Sequence, residues 1–207
     1  MSHSADRANR TALEKKRESS PGLSRRTLLK SALSAPLGLQ FAAQLVHAAD
    51  NPKKARPQPG DVLVFSLGDR QGQLITPQDL PVGGPPVIAY PMDTATQTMR
   101  SGSRLNRVLV VRLPQEKLTE KTRAGAVEGI VAYSAICPHT GCDVSGWKAD
   151  TNQFVCPCHA STFDPSDHAK VVSGPAPRPL AMLPLQLTNG KLTVAARFSG
   201  RVGAVQQ

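Results

Sequence analysis

The chain has 207 residues, 40% of them apolar, with 25 basic and 15 acidic side chains and four cysteines. That length suits one domain with an appended segment, and the apolar content is enough to bury a core and excludes full disorder. Eighteen prolines and sixteen glycines argue against a helical bundle, and 4% aromatics are too few for a platform that stacks single-stranded nucleic acid.

The net charge of +10 divides unevenly. Residues 1–60 hold eleven Lys/Arg and four Asp/Glu, a net of +7, while residues 61–207 hold fourteen and eleven, a net of +3. The basicity belongs to the N-terminal segment, so no nucleic-acid partner is expected for the folded part. That segment opens with a polar, charged stretch, then Ser24-Arg25-Arg26-Thr27-Leu28-Leu29-Lys30, then 19 uncharged residues, 31–49, rich in Ala and Leu. The arginine pair, the Leu-Leu-Lys that follows and the uncharged run resemble a twin-arginine export signal. The resemblance implies a periplasmic location, or the outer face of the cytoplasmic membrane. Residues 1–49 read as a leader or an N-terminal anchor, 50–60 as a Pro/Lys-rich linker and 61–207 as the folded domain.

The folded part reads as short strands rich in Val, Ile and Leu between Gly, Pro, Asn and Asp clusters. In chain order they cover 61–66, 86–90, 107–113, 129–136, 153–156, 170–173, 181–187 and 191–197. Asn189-Gly190 between the last two signals a two-residue hairpin. A short helix is expected over 116–122, and loops over 143–150 and 164–169. Arg100, Arg104 and Arg107 read as a solvated face, Trp147 as a packing residue and His168 as solvated. The architecture expected is all-β, an antiparallel sandwich or barrel.

All four cysteines fall in one window of 22 residues, and two of the five histidines lie in it or directly after it. The stretch runs Cys137-Pro138-His139-Thr140-Gly141-Cys142, then a loop, then Cys156-Pro157-Cys158-His159. Each short segment offers one thiolate and one imidazole, and Cys142 and Cys158 are left over, free to form a disulfide in an exported protein. Three chemistries compete. A zinc site usually pairs Cys with Cys and His with His, whereas these spacers mix them. A thiol–disulfide catalyst usually places Cys-x-x-Cys at a helix N-terminus in a βαβ setting. An iron–sulfur cluster with two cysteines on one iron and two histidines on the other accounts for both mixed pairs.

These motifs, with Gly174-Pro175-Ala176-Pro177 downstream, resemble the Rieske 2Fe–2S family. The resemblance implies one 2Fe–2S cluster, with Cys137 and Cys156 on one iron and His139 and His159 on the other. It implies a disulfide between Cys142 and Cys158, and a covering loop at Gly174, Pro175, Ala176 and Pro177. It also implies a β-sandwich base with a smaller inserted cluster-binding subdomain at about 134–178. The disulfide places the chain nearer the cytochrome bc and arsenite oxidase branches than the ring-hydroxylating oxygenases. Ser161 would donate its hydroxyl to the cluster, and Phe163 stands where the family often has a potential-raising Tyr. Thr140 occupies a commonly apolar position near quinol in bc-type proteins. The run Ile130–Ser134 and Phe163 look more like the arsenite oxidase small subunit.

The function expected is one-electron transfer, with no catalytic residue of its own, in an exported small subunit of a respiratory or oxidase/dehydrogenase complex. Its partner would be a cytochrome or a large catalytic subunit, with quinol and the membrane as further partners. The alternative is a quinol-oxidising subunit of a cytochrome bc-type complex. A zinc-stabilised exported binding module is the alternative of another class.

Overall fold

A computed structural model describes residues 51–204. The leader, residues 1–49, lies outside the described residues. Among those described, no helix is long and apolar enough to cross a membrane.

Eleven strands are named among the described residues, in two antiparallel sheets. The larger sheet holds β1 (Val62–Phe65), β2 (Val87–Asp93), β3 (Thr98–Met99), β4 (Val108–Arg112), β5 (Ile130–Ser134), β10 (Leu185–Thr188) and β11 (Lys191–Val194). Its order is β10-β11-β1-β2-β4-β5, with β3 beside β2. The smaller sheet, β6 (Gly146–Lys148), β7 (Gln153–Val155), β8 (Thr162–Asp164) and β9 (Lys170–Ser173), is a meander between β5 and β10 in the chain.

The large sheet curls. On the far side of β5, Ser134 N–H donates to Ala181 O at 2.8 Å and Leu183 N–H donates to Ala132 O at 2.8 Å. The chain preceding the opposite edge strand thus pairs with β5. The strand expected over 181–187 is therefore split. Its first part bridges Met182 to Tyr133, Pro184 supplies no N–H, and the second part begins β10 at Leu185.

The β4–β5 pair explains its own uninterrupted apolar sequence. Val108, Val110, Ile130 and Ala132 face the inside of the curled sheet with Leu63 and Leu183. Leu109, Val111, Val131 and Tyr133 point the other way, into a second core shared with Phe154, Phe163 and both reduced cysteines. A strand buried on both faces has no polar alternation. Tyr133 spans this second core, stacks edge-on against Phe154 at 6.1 Å and donates its hydroxyl to Pro165 O at 2.9 Å. Its burial pushes the phenol well above its usual range.

The hairpin at Asn189-Gly190 forms as read. Both residues take positive φ, 51° and 73°, the geometry of a type I′ turn, and Thr188 faces Lys191. The helix expected over 116–122 resolves into a 3₁₀ turn (Gln115–Lys117) and a single α-turn, α1 (Glu120–Arg123), capped by Thr119. Residues 143–150 are not all loop, because they contain β6, and β3 and β8 also went unread. Strands of two or three residues are too short to show a period of two.

Candidate metal centre

Two loops carry the cysteines and histidines. The first leaves β5 and closes on itself: Cys137 N–H donates to Cys142 O at 2.8 Å, and Gly141 N–H donates to Cys137 O at 3.0 Å. Its base is fixed by Val144 N–H to Ala135 O, and by Ala135 N–H to Arg107 O on the way into β4. The second joins β7 to β8, with Cys156 N–H donating to Ser161 O at 2.8 Å and Ala160 in the left-handed region. Cys142 and Cys158 form a disulfide across the two loops, with their Cα atoms 6.6 Å apart.

Inside this frame Cys137 and Cys156 are reduced and buried. Burial, and then the neighbouring Cys156 thiol, push the Cys137 thiol up. At the rim, the His139 and His159 rings meet edge to face with centroids 4.6 Å apart. His159 is exposed and His139 half-buried. Nδ1 of His139 is buried with no hydrogen-bond partner among the described residues. The sulfurs of Cys142, Cys156 and Cys158 also lie within 4.8 Å of one another. Two of those three are spent in the disulfide, so only Cys156 of that group keeps a thiol to offer a metal.

A third loop covers the second. Ala176 N–H donates to Ser161 Oγ at 3.1 Å, so the hydroxyl proton of Ser161 stays available. Gly174 has φ +89°, and a Cβ placed there would lie 2.5 Å from Ser161 Cα. Pro175 and Pro177 are exposed on the same loop, and Ala176 is buried. Phe163 is fully buried in the core that holds Cys137 and Cys156, and pairs across the small sheet with Phe154 and Val171. Trp147 packs on Phe154 at 5.6 Å, which matches its packing role. Thr140 is exposed, with its hydroxyl 3.6 Å from Cys142 Sγ.

Three features departed from expectation. Arg100 is 6% exposed and grips Asp61 at 2.6 and 2.8 Å, because a buried guanidinium requires carboxylate partners. Arg107 is half-buried and binds Asp143 at 2.9 Å, while Arg104, exposed as expected, binds the other oxygen of Asp143 at 2.9 Å, and the pair ties the residue after the Cys142 half-cystine to the large sheet. No local pattern marks this triad, since its members lie 36 and 39 positions apart. His168 is half-buried rather than solvated, and its burial pulls the imidazole down from its usual range.

A profile of the Rieske [2Fe-2S] domain matches residues 90–184. This chain carries a Rieske [2Fe–2S] domain. The cytochrome bc1 complex Rieske iron-sulfur subunit of Streptomyces coelicolor is 30% identical over 193 residues, which cover 87% of this chain and 53% of the relative. The same subunit of Streptomyces lividans is 39% identical over 98 residues, 46% of this chain and 58% of the relative. The plasma membrane Rieske protein PetC3 of Synechocystis PCC 6803 has 33% sequence identity and a TM-score of 0.32, covering 44% of this chain and 77% of that chain. The chain spans about half the length of the curated relatives it matches.

A Rieske domain holds one 2Fe–2S cluster, and the residues present fit it. Two reduced, buried thiols are of the type that takes one iron. Two apposed imidazoles, one with an unpartnered buried nitrogen, are of the type that takes the other.

Proposed function

We propose that this chain passes single electrons through its Rieske cluster, with Cys137 and Cys156 binding one iron and His139 and His159 the other. The observation that carries this reading is the pair of reduced, buried thiols on the two loops that also carry the two edge-to-face imidazoles. When bound, the cluster supplies a one-electron couple in the range of roughly −150 to +300 mV for this class. The chain's own residues do the rest. The Cys142–Cys158 disulfide fixes the two loops against each other. The covering loop bonds Ser161 and shields one side, while the exposed His159 leaves the other side open to an electron partner.

The protein would work as an exported small subunit of a respiratory or oxidase/dehydrogenase complex, delivered by the twin-arginine route to the outer face of the membrane. Its partner would be a cytochrome or a large catalytic subunit. The two Streptomyces relatives are cytochrome bc1 subunits, which favours a quinol-oxidising bc-type role as the second reading. The exposed hydroxyl of Thr140 beside the histidines weighs against it, because a quinol ring docks best on an apolar surface.

The test is an EPR spectrum of dithionite-reduced protein, with iron and acid-labile sulfide assayed on the same sample. A rhombic low-g signal with about two irons and two sulfides per chain is expected for this class. Stoichiometric zinc in an EPR-silent protein would overturn the reading. Reduction of the isolated protein by a quinol analogue would separate the bc-type role from the other.

A further inference from the structure

The segment 197–204 returns from the large sheet and runs beside the first cysteine loop. Its path is fixed. Ser199 N–H donates to Met182 O at 2.8 Å, and Ser199 Oγ accepts from Met182 N–H at 3.0 Å. Gly203 is buried at φ +75°, where a Cβ would sit 3.1 Å from Ile136, and its carbonyl accepts from Arg178. Two cavities of about 360 and 520 Å³ flank this segment and share Arg201 and Val202 in their walls. The smaller is lined by Arg56, Arg197 and Phe198, and the larger by Arg104, Thr140 and Gly141.

Four arginines therefore line the groove that these two adjoining cavities make up, and among the described residues no acidic side chain lines it. Arg104 is neutralised by Asp143 close by. Arg56, Arg197 and Arg201 are exposed and make no ion pair among the described residues; Arg56 donates only to Leu105 O at 3.2 Å. One end of the groove reaches Thr140 and Gly141, directly after His139 in the chain. An unpaired cationic wall on a pre-formed backbone, ending at the residues that follow His139, is suited to steer an anionic surface to the electron exit.

We propose that this groove docks an acidic segment of the protein that exchanges electrons with the cluster, through Arg56, Arg197 and Arg201. The proposal rests on the electron-transfer reading and names the chemistry of the partner. Guanidinium groups select carboxylates by paired hydrogen bonds, while Phe198 and Val202 supply an apolar floor for the stems of Glu or Asp.

The probe is fluorescein-labelled hexaglutamate, titrated against the full, cluster-loaded chain by anisotropy at 20 and 200 mM salt. The variant Arg56→Gln/Arg197→Gln/Arg201→Gln should weaken binding roughly tenfold at the lower salt, and wild-type binding should fall as salt rises. A control, Lys15→Gln/Lys16→Gln/Arg17→Gln, removes the same charge from the basic N-terminal segment and should bind like wild type. Unchanged binding by the groove variant, or an equal loss in the control, overturns the proposal. So does binding of phosphatidylglycerol vesicles through the three arginines without hexaglutamate binding, which would make the groove a lipid contact. None of these readouts depends on the cluster turning over, so an EPR-silent protein would fail the electron-transfer reading separately.

Discussion

Gly174 lies so close over Ser161 that no methyl group fits between them. A Cβ on Gly174 would lie 2.5 Å from Ser161 Cα and 2.9 Å from Ser161 Oγ, and the backbone there has φ +89°. Both terms act in one direction under Gly174→Ala, backbone strain and overpacking, and together they cost about 2–4 kcal/mol. The covering loop would lift, and the Ala176 N–H bond to Ser161 would break. The expected outcome is a lower melting temperature and fewer irons retained per chain after gel filtration. Full iron content at an unchanged melting temperature would show that the loop is not seated on Ser161.

Ser161 and Phe163 should move the midpoint potential in opposite directions. The Ser161 hydroxyl accepts from Ala176, so its own proton is free to donate, and in the proposed site it would donate to a cluster sulfide. A donor stabilises the more negative, reduced state, so Ser161→Ala should lower the potential. Phe163→Tyr adds a donor in the core that holds Cys137 and Cys156, and should raise it. One hydrogen bond of about 1 kcal/mol corresponds to about 40–50 mV for a single electron. Protein-film voltammetry reads both shifts, and shifts of the same sign would sink the assignment.

How far the sequence disclosed this arrangement depends on the distance between interacting residues. The disulfide partners lie 16 positions apart, within a window whose residue types already announced a metal centre. Asn189 and Gly190 declared their hairpin because a type I′ turn needs two residues that tolerate positive φ. The β4–β5 run was legible as strand from its Val, Ile and Leu content, but its two-faced burial was not, since nothing local says what covers each face. Arg100 and Arg107 were misread for the same reason, whereas Arg104 is exposed as expected. Their nearest carboxylate partners stand between 36 and 39 positions away, and only the folded sheet brings them together.

The Asp61–Arg100 pair fastens the start of β1 to the turn that follows β3. Both side chains are nearly inaccessible, at 3% and 7%. Asp61→Asn would leave a buried guanidinium with only the longer contact to Asp93 at 3.4 Å. The cost of such an orphaned charge is about 3 kcal/mol. Urea unfolding should show the midpoint falling with little change in slope. The double variant Asp61→Leu/Arg100→Leu, which removes both charges, should recover part of the loss. A double variant no more stable than Asp61→Asn would assign the effect to something other than the unpaired charge.

Asp79 gives the fold a defined acid sensitivity. Arg70, 2.7 Å away, and then Thr76, through its N–H and hydroxyl, hold the carboxyl at about 2 against an ordinary 3.8. A depressed carboxylate pKa means the unfolded chain binds this proton more readily, so the stabilisation is complete above pH 4 and is lost as pH falls through 2. Arg70 is 47% exposed, and solvent screening limits the contribution to about 1 kcal/mol. Asp79→Asn removes the charge and should be less stable than wild type by this amount at pH 6. The two proteins should converge as pH approaches 2. Denaturant titrations at a series of pH values measure the gap directly, and a gap that widened on acidification would reverse the sign assigned here.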